Sequence, residues 1–260
     1  MSQDYAAATP EQGPSPEERR ELFQDIRRLV LTYKFGIDEV MTKIQILREE
    51  FRQMHDYNPI EHVGSRLKSF ESLVDKCHRK DIPLNPAAIR ENIFDVAGIR
   101  VTCSFVSDIY RVRDLICGQE DLTTLRERDY IAKPKPNGYR SLHVIVQVPV
   151  FMSDRVEPVA VEVQLRTIAM DFWASLEHKI YYKYDRVIPR HLTDSLKLAA
   201  DVAWTLDTSM ERIHNEVKQI AGGEPSAQRK GILNPEEVLR DFWRATEAFD
   251  SPAQDLDPGD

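Results

Sequence analysis

Four short segments in the middle of the chain limit its possible folds more than any other feature. Each contains several β-branched residues, and predicted helices lie between the first two segments and after the last one. The predicted strands are Gly98–Phe105, Leu122–Ile131, Ser141–Val150 and Val159–Arg166. Strands interleaved with helices in this way form a mixed sheet that helices cover on one side, so the sequence predicts one such sheet.

Two long amphipathic helices are predicted outside this central region. One runs from Pro16 to about Met54 and the other from Leu192 to Ile220, and both carry apolar residues at alternating steps of three and four. The later stripe has the period of a coiled coil. It fits packing against the body of the protein and a contact between subunits equally well, and its length favours an oligomer. Shorter helices are predicted at Ser69–Arg79, Ser107–Cys117, Ile168–Tyr184 and Pro235–Phe249.

The net charge of −8 is distributed unevenly along the chain. From Asn234 to Asp260 there are eight acidic and two basic residues, so the rest of the chain is close to neutral. On that background, Gly64–Lys80 and Arg126–Arg140 each hold five basic and two acidic residues. Long nucleic acids require a broader basic surface. The two clusters therefore favour a compact anionic ligand over DNA, and RNA binding has no support in the sequence.

The sequence predicts neither export nor a membrane span. No apolar run approaches the roughly 20 residues that a spanning helix needs, and the N-terminus lacks the layout of a signal peptide. The three cysteines have no metal-binding spacing, as in a reduced cytoplasmic protein. We therefore expect a cytoplasmic protein with a disordered segment over 1–15, one domain over 16–222 and an acidic, partly disordered extension over 223–260.

The loop Tyr130–His143 concentrates the residue types that bind nucleotides. Its prolines and Asn137-Gly138 stiffen a turn that presents Lys133, Lys135 and Arg140 around the ring of Tyr139. Cations suit phosphates, and an aromatic face suits a base. The alternative is a solvated basic turn that leads into the strand.

Two carboxylates stand at strand positions that suit a hard cation. The chain has neither a GxxxxGK[ST] nor a GxGxxG loop, so phosphates must be held by side chains and metal. Asp95 lies at the entrance of one apolar strand, and Glu162 lies within another. Mg²⁺ takes one or two carboxylates together with substrate phosphates. Taken singly, each acid also fits a structural role, as a cap or on a solvated edge, but the pair with a basic loop between them favours phosphoryl chemistry.

A second basic cluster lies at a predicted helix start. Arg66 and Lys68 are two residues apart in an extended piece, and Ser72 and Lys76 are four apart on a helix. All four can therefore reach one polyphosphate near the helix N-terminus, where the dipole favours anions. An ordinary amphipathic helix entry has the same pattern.

Together these segments resemble the synthetase domain of the RelA/SpoT-type (p)ppGpp synthetases, in particular the stand-alone small alarmone synthetases. The likeness extends from about Leu22 to Ile220. It implies an α+β fold of α/β type, nucleotidyltransferase-like, with a mixed sheet of about five strands flanked by helices and with long terminal helices. We expect neither the hydrolase domain nor the regulatory region of the long relatives. The motifs that carry the resemblance are SRLKSFESLVDK, DVAGIRV, YIAKPKPNGYRSLH, VEVQLRT and AMDFWASLEHKIYYKY.

The resemblance implies Mg²⁺-dependent transfer of the β,γ-pyrophosphate of ATP to the 3′-hydroxyl of GDP or GTP, with release of AMP. Asp95 would bind the metal, and Glu162 would hold or deprotonate the hydroxyl and assist the metal. A Glu of ordinary pKa, about 4.3, is a poor general base at neutral pH, so Glu162 is expected to orient the hydroxyl unless its site raises that pKa. The residues implied for ATP are Arg66, Lys68, Ser72, Lys76 and Arg100, the last of them against adenine.

The acceptor nucleotide is implied to bind at the basic loop, with guanine stacked on Tyr139. Trp173, Glu177 and His178 also match the family, and we expect them to serve packing. Small relatives form ring-like tetramers, so a homotetramer is the expected assembly. The residues implied for the acceptor's phosphates and ribose are Lys135, Asn137, His143, Arg128 and Gln164.

Two other functions stay open at this point. A relative of the same fold could pyrophosphorylate the 3′ end of tRNA, although the acidic balance of this chain argues against a tRNA track. A catalytically silent nucleotide-binding or RNA-binding regulator is the other alternative. Such a regulator has little use for both Asp95 and Glu162.

Overall fold

The computed structural model describes residues 15–182 and 189–223. The six helices described are α1 (Pro16–Met54), α2 (Phe70–Arg79), α3 (Pro86–Asn92), α4 (Val106–Cys117), α5 (Ile168–Tyr182) and α6 (Arg190–Gly223). The strands in the same residues are β1 (Ile60–Leu67), β2 (Ala97–Cys103), β3 (Thr123–Asp129), β4 (Leu142–Phe151) and β5 (Val156–Thr167). One compact unit extends to Ile213, and a second begins at His214, within the last turns of α6.

The strands form one sheet in the order β1-β2-β5-β4-β3. Strands β2 and β5 are parallel, and the other three pairs are antiparallel. The predicted mixed sheet of about five strands is therefore confirmed. All four predicted strands are present, with ends that differ by up to three residues. The fifth, β1, shows no apolar alternation in the sequence because it is an edge strand with several exposed polar residues.

Helix α1 covers one face of the sheet. Ile26, Val40 and Ile44 are fully buried, and Gly36 brings the helix so close to β5 that an added Cβ would lie 2.5 Å from Val159 Cγ1. The opposite face of β5 carries Glu162 and Gln164, which are only half-buried. The prediction that helices cover one side of the sheet agrees with this arrangement, and the other side is free to form a site.

Helices α2, α4, α5 and α6 match their predicted positions closely. Helix α2 begins after Ser69, whose hydroxyl accepts a hydrogen bond from the Ser72 amide. The short helix α3 was not predicted, although Asn85 caps it and Pro86 opens it. The predicted helix Pro235–Phe249 and the segments 1–14 and 224–260 lie outside the described residues. No helix in the described parts of the chain is long and apolar enough to cross a bilayer.

Two hydrogen bonds connect helix α6 to the end of β5 and to α5. The Thr167 hydroxyl donates to Asp207 Oδ2 at 2.6 Å, and the indole N–H of Trp173 donates to the Leu196 carbonyl at 2.9 Å. Burial raises the pKa of Asp207 to about 6. The apolar stripe on this helix is not buried in the same way, since Leu206 and Met210 remain about half exposed. Most of the stripe therefore does not pack against the described residues of its own chain.

Candidate active site

Two rows of side chains cross the open face of the sheet, and they define the site. In the first row, Arg66 of β1 pairs with Gly98 of β2, Gly98 with Glu162 of β5, and Glu162 with Ile145 of β4. Arg126 of β3 pairs with Ile145 and ends the row. The second row, one strand repeat away, consists of Gly64, Arg100, Gln164, His143 and Arg128. Glu162 and Gln164 thus lie at the middle of the sheet with arginines on both sides.

Two cavities open on this face, and Asp95 and Glu162 line both of them. The smaller cavity has a volume of about 160 Å³ and lies on the β3–β4 side. The larger has a volume of about 340 Å³ and lies on the β1–β2 side. Asp95 lies on the boundary between the two cavities because it comes just before β2, and β2 is the parallel neighbour of the strand that carries Glu162. The two acids, 67 positions apart in the sequence, therefore share one cleft.

Asp95 is held by two lysines from the second predicted cluster. Lys68 Nζ lies 3.1 Å from Asp95 Oδ2, and Lys76 Nζ lies 2.5 Å from Oδ1. Burial by itself would raise the pKa of Asp95, but the hydrogen bond from Lys76 and the charges of both lysines outweigh it and hold the pKa below its ordinary value. Asp95 is therefore ionised at neutral pH and able to bind a cation.

Glu162 is held by two hydrogen bonds of its own. His143 Nδ1 lies 3.1 Å from Glu162 Oε1, and the Gln164 amide donates to Oε2 at 2.8 Å. Burial would raise the pKa of Glu162, but these contacts, led by that with His143, lower it below its ordinary value. A carboxylate of low pKa is a weak base at neutral pH. Deprotonation of a hydroxyl by Glu162 would require a raised pKa, and its pKa is lowered instead. A role in orienting the hydroxyl therefore fits better.

The larger cavity contains most of the residues implied for ATP. Arg66, Lys68 and Arg100 line it together with Ser65 and Gln164. Lys76 instead lines the smaller cavity. Ser72 lines neither and shares a hydrogen bond with Ser69 at the start of α2, with 3.0 Å between their hydroxyl oxygens. The predicted convergence on one point is thus partial, because Lys68 and Lys76 meet at Asp95 and Ser72 lies on the adjoining helix turn.

The smaller cavity contains Arg128 and His143, two of the residues implied for the acceptor. It also contains three polar residues that sequence reasoning missed: Lys80, Asn92 and Arg126. A signal for Arg126 was available, because it is two residues from Arg128 and so shares its face of β3. Lys80 belongs to the basic cluster Gly64–Lys80 and caps the end of α2, but Asn92 is the last residue of α3, where nothing in the sequence indicates a site.

Tyr139, Lys135 and Asn137 lie beside the smaller cavity and line neither cavity. The Tyr139 hydroxyl lies 2.7 Å from His143 Nε2, so the ring is coupled to the site. Lys135 Nζ lies 4.6 Å from the centroid of the Tyr139 ring and 4.7 Å from that of Tyr130. The Asn137 amide donates to Glu177 Oε1 at 3.1 Å. Within the loop, Lys135 thus contacts the rings of Tyr130 and Tyr139. A base that stacks on this face of Tyr139 would have to displace Lys135.

Sequence comparison places the chain among known proteins. Residues 65–187 match the region found in RelA/SpoT proteins. The chain is 49% identical to the GTP pyrophosphokinase YwaC of Bacillus subtilis over 201 residues, which are 77% of this chain and 96% of YwaC. The chain belongs to the RelA/SpoT family. The resemblance seen in the motifs is therefore confirmed.

Solved structures agree with this family membership. The small alarmone synthetase 2 of Bacillus subtilis superposes with a TM-score of 0.68 at 50% identity, over 74% of this chain and 99% of the other. The small alarmone synthetase 1 of the same organism, solved with its product pppGpp, superposes with a TM-score of 0.69 at 38% identity, over 74% of this chain and 97% of the other. These superpositions confirm the predicted α+β synthetase fold.

Proposed function

We propose that this member of the family is a GTP pyrophosphokinase that makes alarmones. It transfers the β,γ-pyrophosphate of ATP to the 3′-hydroxyl of GDP or GTP and releases AMP. The observation that carries the proposal is the position of Asp95 and Glu162 on the boundary between two basic cavities. Its relatives support it, since YwaC is a GTP pyrophosphokinase and small alarmone synthetase 1 binds pppGpp as its product. We place the reaction in the cytoplasm.

The two cavities divide the substrates between them. The larger, with Arg66 and Arg100 on its walls, holds the adenosine end of ATP. The smaller, with Arg126 and Arg128, holds the phosphates and ribose of the acceptor, and Tyr139 stacks on its guanine. Such a transfer depends on in-line placement and charge neutralisation more than on covalent chemistry. Two nucleotides on opposite sides of the acidic pair meet that requirement.

The donor set at the boundary fits Mg²⁺. In the described residues no group of three His, Cys, Asp or Glu side chains could form an all-protein metal site. Asp95 and Glu162 supply two carboxylates, and substrate phosphates complete the coordination that Mg²⁺ ordinarily takes in such sites. When bound, the ion would neutralise charge on the transferred pyrophosphate. Lys68 and Lys76, which now neutralise Asp95, are then free to contact phosphates.

Transfer of a labelled phosphate tests the function directly. Purified protein is incubated with Mg²⁺ and ATP labelled at the γ-position, together with GDP, GTP or deacylated tRNA. Label should appear on the guanosine nucleotides, with AMP formed in equal amount. Label on tRNA alone would replace this function with tRNA pyrophosphorylation. Binding of nucleotides without any transfer would instead identify a silent regulator.

Substitutions at Tyr139 separate the roles of its ring and its hydroxyl. Tyr139→Ala should weaken binding of the acceptor by about 1–3 kcal/mol, the usual contribution of base–aromatic stacking. Tyr139→Phe keeps the ring and should leave acceptor KM nearly unchanged while lowering kcat, because His143 loses its hydroxyl partner. Steady-state kinetics with GDP and GTP measure both parameters. Equal increases of KM in the two variants would assign binding to the hydroxyl.

The exposed stripe on α6 supports a homo-oligomer, and we propose a tetramer of identical chains. Leu206, Met210 and Ile213 are 56%, 49% and 48% exposed, and Phe172 on α5 is 66% exposed. Apolar side chains at this spacing on one helix suit the matching helix of a second copy. A charge at the centre of the stripe, Met210→Glu, should therefore reduce the molar mass measured by light scattering. Val156→Glu, at an equally exposed site on β5, is the control that should leave the mass unchanged.

A further inference from the structure

Arg166 is a buried cation next to the site for which the family resemblance provides no role. It lies on β5, four residues after Glu162, and is only 5% exposed. Its NH2 group donates to the Tyr139 hydroxyl at 2.6 Å and to Gln164 Oε1 at 2.9 Å. Its NH1 group donates to Asp171 Oδ1 at 3.1 Å. Gln164 contacts Glu162 directly, and Tyr139 is connected to Glu162 through His143, so two hydrogen-bonded paths lead from Arg166 to Glu162.

The first path from Arg166 to Glu162 passes through Tyr139 and His143. A guanidinium can only donate hydrogen bonds, so the Tyr139 oxygen accepts from Arg166. The hydroxyl proton of Tyr139 is then available for His143 Nε2, 2.7 Å away. With Nε2 as the acceptor, the ring hydrogen of His143 lies on Nδ1 and is donated to Glu162 Oε1 at 3.1 Å. This arrangement gives every donor in the path an acceptor.

The second path is shorter and passes through Gln164 alone. Because Arg166 donates to the amide oxygen of Gln164, the amide NH2 group faces the other way. There it donates to Glu162 Oε2 at 2.8 Å. The two amide ends of a Gln look alike except for their hydrogen-bonding partners, so the contact with Arg166 determines which end Glu162 meets.

We propose that Arg166 is a positioning residue for Glu162, acting through both of its hydrogen-bonding partners. The inference rests on the proposed function, in which Glu162 orients the attacking hydroxyl. Arg166 is itself anchored, because Asp171 Oδ1 also contacts Arg100 NH1 at 3.2 Å and Ser141 Oγ lies 3.4 Å from Arg166 Nε. A fixed guanidinium at this point holds both oxygens of Glu162 in one orientation before substrate arrives.

Replacement of Arg166 tests the proposal, with Arg166→Lys as the conservative variant and Arg166→Ala as the severe one. A lysine cannot reproduce the planar fork that serves Tyr139, Gln164 and Asp171 together. At saturating nucleotide, kcat should fall about 10–100-fold, the usual effect of removing a partner that orients a reacting group. KM for ATP should change less than about twofold, because Arg166 lines neither cavity. Arg155→Lys, at an exposed surface ion pair, is the matched control.

Chemical rescue distinguishes positioning from a purely structural role. Millimolar guanidinium added to Arg166→Ala should restore part of kcat, whereas an equal concentration of sodium chloride should not. If the alanine variant does not fold, the ratio of kcat to KM effects in Arg166→Lys decides the matter. Folded variants with wild-type kcat, or a loss confined to KM, would overturn the inference while the wild-type transfer activity stands. Failure of transfer by the wild-type protein would instead remove the proposed function.

Discussion

Glu162→Gln should bind both nucleotides and lose at least about a hundredfold of its turnover. The amide keeps the shape of the side chain but cannot accept the hydrogen bonds of His143 and Gln164 on both sides, and it has no charge for Mg²⁺. Loss of a group that orients or accepts the reacting hydroxyl typically costs about 10²–10⁴ in rate. Single-turnover rates together with equilibrium binding of each nucleotide measure the two effects separately.

Glu157→Gln is a control on the same strand. Glu157 lies on β5 in ion pairs with Arg90 and Arg155 and lines neither cavity of the site. That variant should keep nearly the full rate, since exposed or half-exposed pairs of this kind contribute little. If Glu162→Gln also kept its rate, Glu162 would have no part in the chemistry.

Asp95→Asn should abolish most activity and at the same time improve binding of metal-free ATP. The carboxylate is the proposed Mg²⁺ ligand, and a metal that stabilises transition-state charge contributes several kcal/mol, which corresponds to about a hundredfold or more in rate. In the absence of metal, Asp95 repels phosphates and engages Lys68 and Lys76. The amide removes the repulsion and frees both ammonium groups for the nucleotide.

Calorimetry of ATP binding, once with EDTA and once with Mg²⁺, tests whether Asp95→Asn binds metal-free ATP more tightly than the wild-type protein. The wild-type protein should bind ATP more tightly with Mg²⁺, and Asp95→Asn should show a smaller difference or none. Asp114→Asn, in an ion pair on α4 outside both cavities, should behave like the wild type. Weaker metal-free binding in Asp95→Asn would mean that this carboxylate does not compete with phosphates for the lysines.

Local patterns in the sequence were sufficient for most of the secondary structure. The central strands β2, β4 and β5 are buried along most of their length, so they appear in the sequence as segments rich in apolar, largely β-branched residues. Strand β1 was interpreted only as an extended piece because its exposed polar residues hide the alternation. Helix α3 has seven residues, too few for a helical period to be visible.

The approach of Asp95 to Glu162 could not be derived from local patterns. It depends on β2 and β5 being parallel neighbours, although two other strands lie between them in the sequence. Which strands pair is decided by long-range packing, so the sequence linked the two acids only through the basic loop between them and through the family motifs. The role of Arg166 was missed for a related reason, because its partners come from a loop, a strand and a helix that meet only in the folded chain.

The position of Lys135 has a thermodynamic consequence for the acceptor. Its ammonium group lies over the rings of both Tyr130 and Tyr139, in the space that a stacked guanine would need. Such a cation–π contact is worth about 0.5–1 kcal/mol at an exposed site, so the gain from stacking is reduced by that amount. In the proposed acceptor site, the displaced ammonium would keep its charge close to the incoming phosphates. In that site, Lys135 would compete with the base and attract the phosphates of the same nucleotide, so we expect nucleotides to bind better than the free nucleoside.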